Sequence, residues 1–589
     1  MAGTQLPRWS LDSIYPGLDS EHFRGDLKRL GRLIAGLETL LSDTAAMEAG
    51  PRSWLDQALA ALGDVESLYE QLDSFAYARF SVDTGDTAAS AALDRIAETA
   101  VPLAGLSVRF RNALAAIHGR TQWPEGYTFL LDEQLALQER QMSETEERLA
   151  ADLARSGADS WSRLHETVSS SLDGPWDGER RTVVELRQLA YDADRSVRQR
   201  AWRTELAAWS RVETSMAFAL NGVKGATHTL NRRRGWQTTL ERSARQNRLS
   251  RAALEAMIET MRDARPMFER YMQAKARSLG LEQLAFYDLF APVGSGSRSW
   301  DYPEAMAFIA TRLGEFDPEQ GAFVEHVRQG QWIDAQPRAG KVGGAYCIDF
   351  PVAGESRIMA NFDGSFDGMS TLAHELGHAW HSHQLRDLPP GQRQYPMTLA
   401  ETASIFSETL VFHGARAQAD PAEERYLVEQ FLQGATQVIV DILSRYLFEQ
   451  RVMERRAQAE LSAAEFCSLM REAQIEAYGA GLDHEQLHPY MWAVKGHYYR
   501  AELAFYNFPY AFGQLFGLGL HEQYQRAPDG FAERYRALLR ETGRADAVTV
   551  TAQAGFDIES RDFWEGSMAA IGRLVDRFVD LSEHEPPGA

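Results

Sequence analysis

Near the start of the chain, apolar residues recur at steps of three and four: Phe23, Leu27, Leu30, Ile34, Leu37 and Leu41. That period turns one helical face toward a core, and Asp19 or Ser20 is placed to cap the helix. The same period runs through most of the first half, broken at Asp83-Thr-Gly-Asp-Thr and Trp123-Pro-Glu-Gly, so this half is expected to be almost wholly helical. Ser143 and Glu146 have capping-box spacing before a helix that stops near Gly157. Leu172-Asp-Gly-Pro-Trp-Asp-Gly marks a boundary, because its Gly and Pro interrupt helix and strand alike. Further helices are expected to about Leu289, then a flexible connection over residues 291–299.

The pattern changes after Pro337. Gly340-Lys-Val-Gly-Gly-Ala-Tyr-Cys-Ile-Asp-Phe-Pro, followed by Ser356-Arg-Ile-Met-Ala-Asn-Phe, carries glycines and β-favouring residues in place of a helical stripe. A small sheet is expected there. Its edge at Gly343, Gly344, Ala345 and Tyr346 would pair with an extended peptide backbone, or else the stretch is an ordinary hairpin with a glycine turn. Helical periodicity then returns at Thr371-Leu-Ala-His-Glu-Leu-Gly-His-Ala-Trp-His, with Asp367 as the expected cap. A mainly apolar helix starts at Pro396, another follows the cap Asp420, and Leu427, Phe431, Ala435, Val438, Ile442 and Tyr446 form its core stripe.

The histidine pair changes the picture. His374 and His378 are one helical turn apart, so both rings reach one metal ion, and Glu375, about 100° round from His374, can hold a metal-bound water. With 15 His and 83 Asp plus Glu in 589 residues, roughly 0.05 chance HExxH matches are expected, so accident is a poor explanation. Catalytic zinc needs a third protein ligand. Glu401, 27 residues beyond His374, is an acidic residue in an apolar helix, costly to bury unless paired or metal-bound, and is assigned that role. Ser404 and Glu408 share its helical face and would orient the ligands, although Glu408 reads equally as a surface charge. Farther on, His497-Tyr-Tyr and Phe505-Tyr-Asn-Phe-Pro-Tyr mix a histidine and phenols into an aromatic run, donors suited to a tetrahedral oxyanion.

Composition narrows the partners. A net charge of −22 argues against nucleic acid or an anionic membrane, and no run of apolar residues is long enough to span a bilayer. Two cysteines, Cys347 and Cys467, make no disulfide framework, and the amino terminus lacks a signal peptide's basic and apolar regions, so a cytoplasmic location is expected. Oligomeric state is not encoded in any of these features.

These motifs, with the Trp9-Ser-Leu-Asp-Ser-Ile-Tyr-Pro opening and Gly555-Phe-Asp-Ile before Phe563-Trp564, resemble the oligoendopeptidase F branch of the thimet oligopeptidase family of zinc metallopeptidases. The resemblance implies a mainly α, two-lobed fold with a deep substrate channel and a small sheet beside the HExxH helix. It implies an N-terminal helical region over residues 1–180 and a zinc peptidase region over 181–589, the channel completed by the N-terminal helices. It also implies one zinc per chain on His374, His378 and Glu401, Glu375 as catalytic base, and His497, Tyr506 and Tyr510 facing a short peptide substrate. Of the two tyrosines, neither is ranked as the main donor. Gly496 and Glu502 depart from the branch's pattern around His497. The expected activity is hydrolysis of internal bonds in short unstructured peptides. The alternatives are a carboxypeptidase or dipeptidyl carboxypeptidase on a related helical fold, or a metal-dependent peptide binder without turnover.

Overall fold

In the computed structural model, which describes residues 6–294 and 298–583, the opening stripe folds as its spacing requires. Ser20 is the cap: its side chain accepts from the Phe23 N–H and starts the helix Glu21–Ser42, which buries Phe23, Leu30, Ile34, Leu37 and Leu41. Leu27 packs against the same core at its margin. Tyr15 sets its ring edge-on against both Phe23 and Phe75, the latter on the long helix Pro51–Val82. Of the connection expected at 291–299, residues 295–297 lie outside the described residues.

Among the described residues the architecture is mainly helical with two small sheets. Contacts divide the chain into two compact units, each drawn from three stretches. The first takes Met1–Glu144, Arg298–Ala417 and Gln523–Phe556, and the second Thr145–Ser297, Gln418–Glu522 and Asp557–Ala589. A division at residue 180 cuts along the chain, whereas these units interleave it.

Where interruption was expected at Leu172-Asp-Gly-Pro-Trp-Asp-Gly, the second unit has a hairpin of β1 (Asp173–Trp176) and β2 (Glu179–Thr182). Asp177 and Gly178 turn it, both at positive φ (47° and 86°), the two-residue turn whose twist matches paired strands. The same unit holds the stripe beyond Asp420, which does cap its helix, Pro421–Ala435. A π-helical stretch, Thr436–Asp441, then shifts the register before Ile442–Arg456. Of the expected stripe Leu427, Ala435, Ile442 and Tyr446 are buried, while Phe431 and Val438 are half-buried and the adjacent Leu432 and Ile439 take the core positions instead.

The second sheet belongs to the first unit and is the one expected beside the metal motif. Its order is β3 (Ile333–Asp334), β5 (Glu355–Met359), β4 (Tyr346–Phe350), so β4 is an edge strand, antiparallel to β5. Lys341 fastens the glycine-rich approach to this edge. Its fully buried ammonium donates to Asp334 Oδ1 at 2.8 Å, the Ala360 carbonyl at 2.6 Å and two further carbonyls, which satisfies a charge that burial would otherwise disfavour. Among the described residues, no helix is long and apolar enough to cross a membrane.

Candidate active site

The metal motif lies in the helix Phe366–Leu385, whose cap is Ser365, not Asp367. Ser365 accepts from the Gly368 N–H at 3.0 Å, which leaves Asp367 in the first turn. Glu401 does not lie within a continuous helix either. It joins the single turn Met397–Ala400 to the helix Thr402–Arg416, with φ −84° and ψ 4°.

The two helices approach closely because Gly377 faces that junction. A Cβ at Gly377 would stand 2.5 Å from the Ala403 carbonyl oxygen and 2.6 Å from Ser404 Cα, so only glycine fits without a backbone shift. The approach brings three donor atoms together: His374 Nε2 to His378 Nε2 3.2 Å, His374 Nε2 to Glu401 Oε2 3.2 Å, and His378 Nε2 to Glu401 Oε2 3.5 Å. A tetrahedral zinc site with bonds of about 2.05 Å has donor-to-donor edges of about 3.3 Å, so the three atoms fit three corners. Among the described residues this is the one group of its kind able to hold a metal ion.

The electrostatics agree with a cation. Burial disfavours a charged His374, yet hydrogen bonds to Glu401 and Glu408 outweigh it and push the imidazole up to about 10. Burial likewise opposes the Glu401 carboxylate, but His374 and His378 hold it well below the usual range. Positive charge is thus strongly favoured at this spot, and a metal ion held there would supply it with both Nε2 atoms unprotonated. Glu408 Oε2 lies 3.2 Å from His374 Nδ1, placed to accept its proton, which would leave Nε2 to face a metal ion. Ser404 donates to Glu401 Oε2 at 2.8 Å.

Glu375 is buried on the same helix. Burial raises its pKa, partly countered by the two histidines and by the Cys347 backbone N–H, which donates to it. Cys347 belongs to edge strand β4, so the expected edge and the expected base are in contact. Gly343 and Gly344 form a bend before the strand, with Gly344 at φ 79°, and Ala345 leads into it. Asn361 Nδ2 donates to the Val342 and Gly344 carbonyls at 3.0 Å each, and the Tyr346 hydroxyl meets Ser81 Oγ at 2.5 Å.

The structure gathers His497, Tyr506 and Tyr510 in the second unit, apart in the chain's organisation from the first unit's metal group. The two tyrosine hydroxyls are 2.7 Å apart, and the His497 and Tyr506 ring centroids 5.7 Å. The loop carrying them is pinned by residues the sequence did not point to. Arg242, buried, donates to the Ala501 and Glu502 carbonyls at 3.0 and 3.4 Å. Phe505, at φ 54°, gives its N–H to Glu449 Oε2 at 2.9 Å, and Glu449 Oε1 pairs with buried Lys224 at 2.5 Å. No periodicity or motif signals these partners, although a lysine and a glutamate inside apolar helical stripes are a weak hint.

Two family models match the chain: the one described as Peptidase family M3 over residues 188–570 and the one described as Oligopeptidase F over 114–173. An oligoendopeptidase F homolog of Lactococcus lactis subsp. lactis is 25% identical over 405 residues, 67% of this chain and 66% of that protein. The chain thus spans just under two thirds of that relative's length. Oligopeptidase PepF of Bacillus subtilis is 20% identical over 97% of this chain and 87% of its own. Among solved structures, one from Chlamydophila abortus has a TM-score of 0.81 at 20% identity, covering 98% of each chain. Oligoendopeptidase-F from Enterococcus faecium has 0.71 at 19%, covering 96% of this chain and 99% of that one. At these identities the structures establish a shared fold, and the family model spans well over half of the sequence around the histidine pair, so the chain belongs to peptidase family M3, on its oligoendopeptidase F branch.

Proposed function

We propose that this chain is a zinc-dependent oligoendopeptidase that hydrolyses internal bonds of short, unstructured peptides. The observation that carries the proposal is the near-tetrahedral spacing of His374 Nε2, His378 Nε2 and Glu401 Oε2, with Glu375 one residue from the first ligand. Zinc bound there would polarise the scissile carbonyl and bring a water's pKa down to about 7. Glu375 takes the proton of the attacking water and returns it to the leaving amine, a dual role favoured by the upward direction of its pKa. Glu408 and Ser404 keep the ligands aimed. His497, Tyr506 and Tyr510 donate to the carbonyl oxygen as it gains charge, the two tyrosine hydroxyls standing 2.7 Å apart. Edge strand β4 from Tyr346, with the bend at Gly343 and Gly344 and the linking Ala345, holds the peptide main chain, which selects for extended backbone over side-chain identity.

The site calls for no nucleic acid or membrane, and two cysteines without a disulfide suit the cytoplasm. The test is one peptide offered free, with both ends blocked, and embedded in a stable folded domain, with products read by mass spectrometry. Cleavage of the first two at the same internal bond, abolished by chelator and restored by zinc, with the folded domain resisting, is the expected result. Loss of cleavage on blocking the carboxyl end would make the protein a carboxypeptidase, and binding without products would make it a peptide binder.

A further inference from the structure

Among the described residues the His497 ring makes one hydrogen bond, and its chemistry can be read outward from a residue that offers no choice. Arg445 Nη1 is 3.2 Å from Asn507 Oδ1. A guanidinium only donates, so the atom of Asn507 facing it must be the carbonyl oxygen, and the amide NH2 must face the other way. That NH2 is 2.7 Å from His497 Nε2. Nε2 is therefore the acceptor, and in a neutral ring the proton sits on Nδ1. Nδ1 has no hydrogen-bond partner among the described residues.

The chain of contacts continues behind Arg445. Its guanidinium donates to Asp441, which also accepts from the Tyr478 hydroxyl at 3.2 Å. Asp441 ends the π-helical stretch Thr436–Asp441, where the helix widens immediately before Arg445. Such widenings recur where a helix must aim side chains at a functional site. Asp441 and Asn507 are themselves buried, so the series is shielded from water's competition.

We propose that Asp441, Arg445 and Asn507 form a positioning chain that holds His497 as the neutral Nδ1–H tautomer and leaves Nδ1–H as the donor offered to a bound peptide. The proposal deepens the reading of His497 as a substrate-facing group and rests on it. Burial, with Arg445, Lys224 and Lys495 nearby, pushes His497 down to about 2, which agrees with a ring that donates without being charged.

The experiment uses the full-length zinc-loaded protein labelled with 15N-histidine, with His497 assigned by its absence in His497→Gln. The expected spectrum shows Nδ1 protonated and Nε2 bare. Asn507→Asp keeps the shape but replaces the NH2 by an acceptor, so the proton should move to Nε2, and kcat should fall about 100-fold with KM little changed. A His497 signal with the proton on Nε2 in the unaltered protein overturns the positioning chain, whether or not the variant folds. An Asn507→Asp protein with the tautomer switched but kcat unchanged overturns its role in turnover. Undiminished peptide cleavage by His497→Ala instead overturns the substrate-facing reading on which the proposal rests, an outcome the tautomer spectrum does not mimic.

Discussion

The two chemical clusters of this protein are built by opposite means. His374, Glu375 and His378 sit on one regular helix, where rise and turn per residue set their relation, and Glu401 starts the next. His497, Tyr506 and Tyr510 instead flank an irregular loop whose path is set by charges from elsewhere in the chain: buried Arg242, half-buried Arg445 and the buried Lys224–Glu449 pair. A helix writes its geometry into local spacing. A loop of this kind writes it into partners as far off as Arg242, 259 residues from Ala501.

The sharpest break of the first cluster leaves its structure alone. Glu375→Gln should retain zinc at one per chain, yet lose turnover by about 10³-fold, because an amide can hydrogen-bond a water but cannot take its proton. Elemental analysis with kcat measurement checks both halves. Zinc retained with activity near that of the unaltered enzyme would remove Glu375 from the role of base.

The second cluster should break through stability first. Glu449→Gln leaves the Lys224 ammonium buried without its counter-charge and weakens the acceptor that holds Phe505 in its left-handed conformation. Breaking a buried pair by removing one partner costs about 3–5 kcal/mol. Denaturant unfolding of zinc-loaded protein measures it. A loss below about 1 kcal/mol would mean that water reaches Lys224, and the loop would then not be held by a dry charge pair.

These contrasts explain what the sequence disclosed. The His pair, Glu401, Ser404 and Glu408 were legible because helical steps fix which residues share a face. The cap at Ser365, the break at Glu401 and the hairpin turn at Asp177-Gly178 were read differently, since several polar residues compete for each turn and local pattern does not rank them. The π-helical stretch could not be read from a repeat of three and four, and Val438 within it is only half-buried. Lys341 was legible only as a member of a glycine-rich motif, because its partners Asp334 and Ala360 meet it through the sheet. Glu408 sharpens the point. Glu408→Ala should weaken zinc binding about 10-fold, near the lower end for a partner that orients a ligand, because its side chain is 38% exposed and water can substitute for it. Competition against a calibrated chelator gives the number, and no change would return Glu408 to a surface charge.

The smallest effects test whether spacing alone suffices even for the legible cluster. Gly377 and Gly434 are both helical glycines, and the sequence offers no reason to treat them differently. Around Gly434, in the helix Pro421–Ala435, no atom of the described residues beyond its chain neighbours and its own helical backbone lies within 4 Å of an added Cβ. Gly434→Ala should therefore stabilise the protein by about 0.5–1 kcal/mol, the backbone entropy that glycine loses on becoming helical. At Gly377 the same methyl would meet backbone atoms of Ala403 and Ser404 at 2.5 and 2.6 Å, and backbone cannot swing aside as a side-chain tip can. Gly377→Ala should cost about 1–3 kcal/mol. It should also weaken zinc, because pushing this helix from its neighbour carries Glu401 away from His374 and His378. Thermal unfolding of the metal-free proteins separates packing from metal linkage, and chelator competition then reads the ligand geometry. If Gly377→Ala matched Gly434→Ala in both measurements, the two helices would be free to part without disturbing the metal group. The four-residue step would then be the whole of the site's geometry, and the contrast between a cluster set by spacing and one set by distant partners would be complete. The predicted loss says instead that the motif's own glycine is where the first cluster, too, depends on a contact no local pattern announces.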